Sequence, residues 1–322
     1  MTAAAAFMTT LLLFDTDSGF FGDDGVALTM LMRSPLASSV VGVTVVSGNV
    51  WAAKGAEYME RNLRVLKRAK LPVVIGAQEP LVHTAAMSKK EGALQFAGAF
   101  GEPMDLAAPS KANAVSFIID TIDANPGKVT FVALGPMTNL AVALRLRPDL
   151  ARKIGGLVFM GGAVSVPGNV TPYAEFNFWF DPEAAQVALR SAIPRKIMFG
   201  LDVTNQAPIR KSHFDEIVAV KTAITELYRE DMGSQFPGFY KNPEAVTYMW
   251  DALVAAFLID PTLATTSETK YLDVDTQFGA GYGRVIRLER TIAPMATPVQ
   301  VMMGIDIERT RELYRQALTS TR

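Results

Sequence analysis

Residues 11–28, LLLFDTDSGFFGDDGVAL, set Asp15, Asp17, Asp23 and Asp24 within ten positions behind a short apolar run. The run 11–14 followed by Ser18, Gly19 and Gly22 reads as a buried parallel strand ending in a turn. Val26, Leu28, Leu31 and Met32 then recur at helical spacing, so the unit is strand, tight loop, helix. That puts the aspartates at the carboxyl end of a strand, where open α/β sheets bind ligands. Two like charges about 4 Å apart repel by roughly 4 kcal/mol at an effective dielectric near 20. The four carboxylates therefore need a proton, splaying into water, or a cation. With no cysteine in the chain and no histidine nearby, all-oxygen ligation points to a hard ion such as Ca²⁺ or Mg²⁺ rather than zinc. A solvated acidic turn capping the helix through Asp23 or Asp24 is the plainer alternative.

The rest of the chain repeats this unit. Apolar runs at 40–46, 73–75, 129–134, 157–159 and 197–199 predict strands, and helical patterns at 52–69, 112–124, 138–147 and 182–191 separate most of them. The last pattern opens with an Asp181 cap and Pro182 at the first helical position. Alternation of this kind predicts a single α/β domain over 1–322, a mostly parallel central sheet flanked by helices, with residues 1–10 a frayed start. The 322 residues are 49% hydrophobic, ample for a core, and 31 basic against 32 acidic side chains leave a net charge of -1. Such a balance gives no electrostatic footprint for nucleic acid or an anionic membrane, and the expected partner is a small, neutral molecule. Zero cysteines suit a reducing, cytoplasmic setting, and no apolar run reaches about 18 residues, so no transmembrane helix is expected.

Polar residues recur at the ends of the predicted strands. They are Asn49 in VVSGN, the LGPMTN turn at 134–139 and MGGAVSVPGNVTPYAEFNFWFDP at 160–182. In an extended Ala174-Glu175-Phe176-Asn177, Glu175 and Asn177 share one face, a pairing suited to vicinal sugar hydroxyls. Trp250 and Asp251 follow a loop-like stretch, 233–243, and open an apolar helical run, which also fits a helix cap beside ordinary core.

In this order, and along almost the whole chain, these segments resemble the nucleoside hydrolases. That family carries D-x-D-P-G-x-D-D after its first strand, G-N after the second, L-G-P-L-T-N, an M-G-G…G-N…A-E-F-N…D-P block and a late aspartate at a helix start. The resemblance implies a Rossmann-like open sheet and hydrolysis of the N-glycosidic bond of ribonucleosides. It implies Ca²⁺ held by Asp17, Asp24, Asp251 and the Leu134 carbonyl, with Asp17 as base towards water. It also implies ribose contacts from Asp23, Asn49, Asn169, Glu175, Asn177 and Asp251, Met160 on the ribose floor, and a homo-oligomer, dimer or tetramer.

Three departures qualify the transfer. The family proline is Ser18 and two residues are added before Asp23, giving SGFFGDD. Trp250 stands where many inosine-uridine type members have a histidine before the late aspartate. The Trp-Asp pair is closer to the purine-specific inosine-adenosine-guanosine branch, which implies stacking on a purine base, with pyrimidine or broad specificity as the alternative. The segment 91–103 lacks a further histidine, and Phe96 or Phe100 is a candidate second wall for the base. His83 and His213 match no family position and read as surface or capping residues. The aromatic stretch 231–248 reads as a loop able to close over a base or to form a subunit contact. The Asp15-x-Asp17 pair also resembles the nucleophile loop of haloacid-dehalogenase-type, Mg²⁺-dependent phosphatases. A catalytically inactive nucleoside-binding protein is the non-enzymatic alternative.

Overall fold

The computed structural model describes residues 11–87, 98–101, 113–235, 242, 244–289 and 296–321. Its centre is a nine-stranded sheet in the order β10-β9-β11-β6-β5-β4-β1-β2-β3. The strands are β1 Leu11–Thr16, β2 Val40–Val45, β3 Val73–Ile75, β4 Val129–Ala133, β5 Gly156–Met160 and β6 Lys196–Phe199, then β9 Ala264–Val274, β10 Val285–Leu288 and β11 Pro298–Ile305. A separate antiparallel ribbon pairs β7 Pro208–Arg210 with β8 Val246–Tyr248. All neighbours from β3 across to β11 pair in parallel, and β9 and β10 close that edge antiparallel. The six predicted strands are all present. This is a single-domain α/β fold.

Strand order fixes where a ligand goes. From β1 the chain winds outward through β2 and β3, then returns to lay β4 against the other side of β1, with Asp15 opposite Ala133. Crossover connections leave in opposite directions at this switch point, opening a crevice beyond the strand ends. Asp17 follows β1 and Leu134 follows β4, so both sit at the crevice.

Helices cover both faces of the sheet. One face carries α1 Gly22–Met32, α2 Ala52–Val65, α10 Trp250–Ile259 and α11 Ile307–Thr319, and the other carries α3 Ala114–Ala124, α4 Thr138–Leu146 and α6 Pro182–Arg190. Helices α1 and α10 pack on each other and are buried all round, so neither shows a polar stripe. Three short or peripheral helices, α5 Phe176–Phe180, α7 Leu201–Thr204 and α8 Lys211–Ala219, and the longer α9 Ala223–Gln235 complete the set. The Asp181 cap is formed, with its carboxylate accepting from Ala184 N at 3.0 Å.

Several expectations need correction. Residues 174–177 are not extended. Glu175 is the N-cap of α5 and accepts from Asn177 N and Phe178 N, so the chain turns into a helix at that point. The stretch 233–243 is not wholly loop, because α9 runs on to Gln235. His83 is no surface residue: it is buried, with Nδ1 2.9 Å from Trp179 O and its ring edge-on to Phe100, Trp179 and Tyr282. Burial pushes its pKa down to about 4, keeping the ring neutral. His213 does cap, accepting at Nδ1 from Arg210 N. The frayed start at 1–10, Phe96, and Phe236, Phe239 and Tyr240 of the aromatic stretch lie outside the described residues.

Phe257 of α10 is fully buried against Phe199 of β6, ring centroids 5.4 Å apart, and ties the helix to the sheet. Phe257→Ala is expected to lower unfolding free energy by about 3–5 kcal/mol through lost burial and a residual cavity, read by urea denaturation. A cost below about 1 kcal/mol would show that α10 is not held this way.

Candidate functional site

Two helix N-termini and two strand ends meet at the crevice. Asp23 and Asp24 occupy the first turn of α1, and Asp251 occupies the first turn of α10. Neither helix has a side-chain cap, so the positive ends of both dipoles face the carboxylates. One carboxylate oxygen from each of Asp23, Asp24 and Asp251 lies within 4.8 Å of the others. Asp17 stands beside them, held through Oδ2 by Asn49 N at 2.8 Å. This bond ties Asp17 to the loop after β2.

Glycine makes the approach of Asp17 possible. A Cβ on Gly48 would lie 2.0 Å from Asp17 Oδ2, and one on Gly135 would lie 2.8 Å from Asp17 Cβ. The carboxylate is thus flanked by bare backbone from the loops after β2 and β4.

The two-residue insertion is absorbed by packing. Phe21 is fully buried against Tyr228, and its N–H donates to Asp231 Oδ1 at 3.1 Å. Phe20 lies under the Arg61 guanidinium, 3.7 Å from its ring centroid, and its carbonyl accepts from Arg61 Nη2. The longer loop is pinned to α2 and α9, and the paired aspartates still reach the crevice.

Asp15 points away from this cluster. Its Oδ1 accepts from Thr44 Oγ1 and from Asn139 Nδ2 at 2.8 Å, while Asn139 Oδ1 accepts from Ala77 N. Asn139, which carried no expected role although it lies in LGPMTN, braces β1 and the turn after β3 from α4. Asn177 braces the other side, its Nδ2 donating to the carbonyls of Leu134 at 2.9 Å and Met160 at 3.1 Å. Glu175 is buried, with Oε2 accepting from Gly162 N at 2.7 Å and Phe178 N and Oε1 from Asn177 N. A carboxylate has about four acceptor positions, so three such bonds leave one. Asn169 is exposed, with Oδ1 accepting from Phe176 N at 3.0 Å.

Trp250 is half-buried beside Tyr248, ring centroids 5.7 Å apart, and its Nε1 is buried with no hydrogen-bond partner among the described residues. Phe100 stacks on Phe180 at 4.5 Å and belongs to the aromatic cluster around His83 and Trp179. The structure thus brings together Asp17, Asp23, Asp24, Asp251, the Leu134 carbonyl, Met160, Glu175 and Asn177. Asn49 joins them through its backbone, Asn169 is held to Phe176 N, and Trp250 adjoins Asp251.

Electrostatics favour a cation. Burial, and then the charges of Asp17 and Asp23, push the Asp24 carboxyl well above the usual range; burial and the other three aspartates do the same to Asp251. Asp17 is raised by burial and by Asp23, and Asp23 is raised to about 6 by burial and Asp231. Thr16 donates to Asp24 Oδ1, but Asp24 Oδ2 is buried without a hydrogen bond. An acceptor orphaned among carboxylates is what a hard divalent ion satisfies, and the donor set is all oxygen, so the residues fit such an ion.

Without a cation, protons neutralise these carboxylates. Asp23 then binds its proton more tightly folded than unfolded, so its contribution to stability is greatest below the unfolded value of 3.8 and is lost as pH rises through about 6, and Asp17, Asp24 and Asp251, pushed well above the usual range by burial, act in the same direction. In chelator the melting temperature is expected to fall between about pH 4 and pH 7, and excess divalent cation to abolish that slope. A melting temperature that rises over this window in chelator contradicts the cluster as described. Gly48→Ala, which drives a methyl into Asp17, is expected to cut turnover about 10²-fold with the fold retained by circular dichroism; unchanged turnover would show that the close approach is dispensable.

Known proteins resemble this chain in sequence and fold. The family described as inosine-uridine preferring nucleoside hydrolase matches residues 12–312. The pyrimidine-specific ribonucleoside hydrolase RihB of Escherichia coli is 33% identical over 301 residues, 92% of each chain. Among solved structures, a purine-preferring ribonucleoside hydrolase from Gardnerella vaginalis superposes with a TM-score of 0.75 at 26% identity, covering 96% of this chain and 98% of that one. A plant nucleoside hydrolase gives 0.79 at 24% identity over 97% and 99%, a likeness of fold. The matched span takes in every segment that builds the crevice, from β1 to the first turn of α10, and the chain belongs to the inosine-uridine preferring nucleoside hydrolase family, hydrolases of N-glycosyl bonds.

Proposed function

We propose that this crevice hydrolyses purine ribonucleosides in preference to pyrimidine ones, with Ca²⁺ held by Asp17, Asp24, Asp251 and the Leu134 carbonyl. The observation that carries the site is the convergence of Asp23, Asp24 and Asp251 at two helix N-termini, with Asp17 beside them, at the β1/β4 switch point. Trp250, adjoining Asp251 with a face beside Tyr248, carries the base preference. A bound Ca²⁺ supplies a positive charge that keeps the carboxylates ionised and polarises water.

Asp17 takes a proton from the attacking water, whose oxygen bonds to the anomeric carbon as the C–N bond breaks and its electron pair leaves with the base. The sugar passes through an oxocarbenium-like state, stabilised by the negative charge of Asp23 and Asp251. Asp23, Asn49, Asn169, Glu175, Asn177 and Asp251 hold the ribose, with Met160 beneath it, and the remaining acceptor position of Glu175 receives a hydroxyl. Trp250 stacks on the purine. The protein acts as a homo-oligomer, dimer or tetramer, in the cytoplasm; no helix of the described residues is long and apolar enough to cross a membrane.

A second reading, pyrimidine or broad specificity, is favoured by the name of the 33% identical relatives. Reducing-sugar release from inosine, adenosine, guanosine, uridine and cytidine separates the two. Purine turnover is expected to vanish in chelator and return with Ca²⁺, and Asp17→Asn to lose about 10²–10⁴-fold in kcat. Trp250→Ala is expected to raise KM for inosine about tenfold with less effect on uridine. Uridine turnover equal to that of inosine would discard the purine preference, and phosphate release from phosphomonoesters without sugar release would discard the reaction.

A further inference from the structure

The segment 161–175 carries Asn169 and ends at Glu175, and its root is clamped by a residue that no expectation singled out. Asp202 of α7 is buried, and its two oxygens accept from successive backbone N–H groups, Oδ2 from Val164 and Oδ1 from Ser165, each at 2.8 Å. Two residues before Val164, the N–H of Gly162 goes to Glu175, and the Gly162 carbonyl accepts from Leu201 N at 2.9 Å. A Cβ on Gly200 would lie 2.8 Å from Gly162 O, so loop root and β6 end are in direct backbone contact. The platform beneath is firm: Leu201 and Val203 are buried, and Gln206 ties the Asp202 carbonyl to Met303 O.

The far part of the loop is held by its own bonds, Gly168 N to Pro172 O, Val170 N to Ala174 O and Ala174 N to Thr171 Oγ1. Asn169 Oδ1 is committed to Phe176 N, which leaves its Nδ2 as the donor end. The loop is therefore a self-braced tip on a root fixed at Gly162, Val164 and Ser165. Charge-assisted bonds to backbone N–H groups are among the stronger neutral-to-ion contacts, and two on one carboxylate fix direction as well as distance.

We propose that Asp202 is a positioning residue for substrate binding, orienting the loop so that the Asn169 amide meets the ribose. It touches neither the reacting atoms nor the carboxylate cluster, so its loss weakens binding of ground and transition state alike. The proposal rests on Asn169 as a ribose contact. Asp202→Asn, which keeps shape but replaces one acceptor by a donor facing an N–H, is expected to raise KM about tenfold with kcat within about twofold.

Asn169→Ala, Asp202→Asn and the double variant are compared on the same nucleoside, with the Ca²⁺ dependence of activity and the melting curve recorded for each. The double variant is expected to match Asn169→Ala in KM, since Asp202 acts through Asn169, and the Ca²⁺ midpoint to stay put. Asp202→Glu, which retains both acceptors, is expected to recover part of the KM and serves in the same comparison should Asp202→Asn not fold. If Asn169→Ala raises KM while Asp202→Asn leaves it unchanged, or if the two effects multiply in the double variant, the proposal is overturned and Asn169 stands. An Asn169→Ala variant with normal KM overturns the ribose reading of Asn169, and the role of Asp202 with it. A fall in kcat with unchanged KM in Asp202→Asn also overturns it, since that pattern belongs to the carboxylate cluster.

Discussion

Like-charge repulsion inside a low-dielectric crevice is the constraint on which the rest of this structure depends. Asp17, Asp24 and Asp251 are almost fully buried and Asp23 is half-buried, an assembly that would drive itself apart without opposing charge. The fold supplies part of that charge through two helix N-termini left without side-chain caps. Because α1 and α10 are buried on all sides and pack on each other, their first turns have no freedom to separate. When ionised, the carboxylates repel one another while the hydrophobic core holds them in place.

Around that cluster, backbone groups do much of the shaping. Gly48 and Gly135 admit Asp17, and Asn139 and Asn177 tie neighbouring strand ends together on either side. The carboxylates of Glu175 and Asp202 are spent on loop N–H groups. Several polar residues at this edge therefore hold the chain in place around the carboxylate cluster.

The parallel half of the sheet was legible because β1, β2, β4, β5 and β6 are short apolar runs, the signature of strands covered on both faces. Strands β9 to β11 were not, since β9 is largely exposed along ATTSETK and offers no apolar period. The acidic loop was readable from its sequence, although Asp15 turns to Thr44 and Asn139, and Asp251 joined the cluster only through the family resemblance. Glu175 misled because a glutamate is an uncommon N-cap, so AEFN reads as extended unless the three N–H groups it receives are known. His83 was misjudged because its cage comes from Phe100, Trp179 and Tyr282, far apart in the chain. Asp202 carried a signal that went unused: an aspartate three residues past an apolar strand, at the same sheet edge as the others.

The loop between β1 and α1 shows how an insertion can be made harmless. Lengthening a connection ordinarily loosens its ends, but here each added position brings its own anchor, Phe20 under Arg61 and Phe21 in the core with its N–H on Asp231. The distance along the chain from Asp17 to Asp23 has thereby been uncoupled from their distance in space. Anchored in this way, a longer loop between the aspartates does not by itself move them apart, so that counting residues between them says little about where their carboxylates lie.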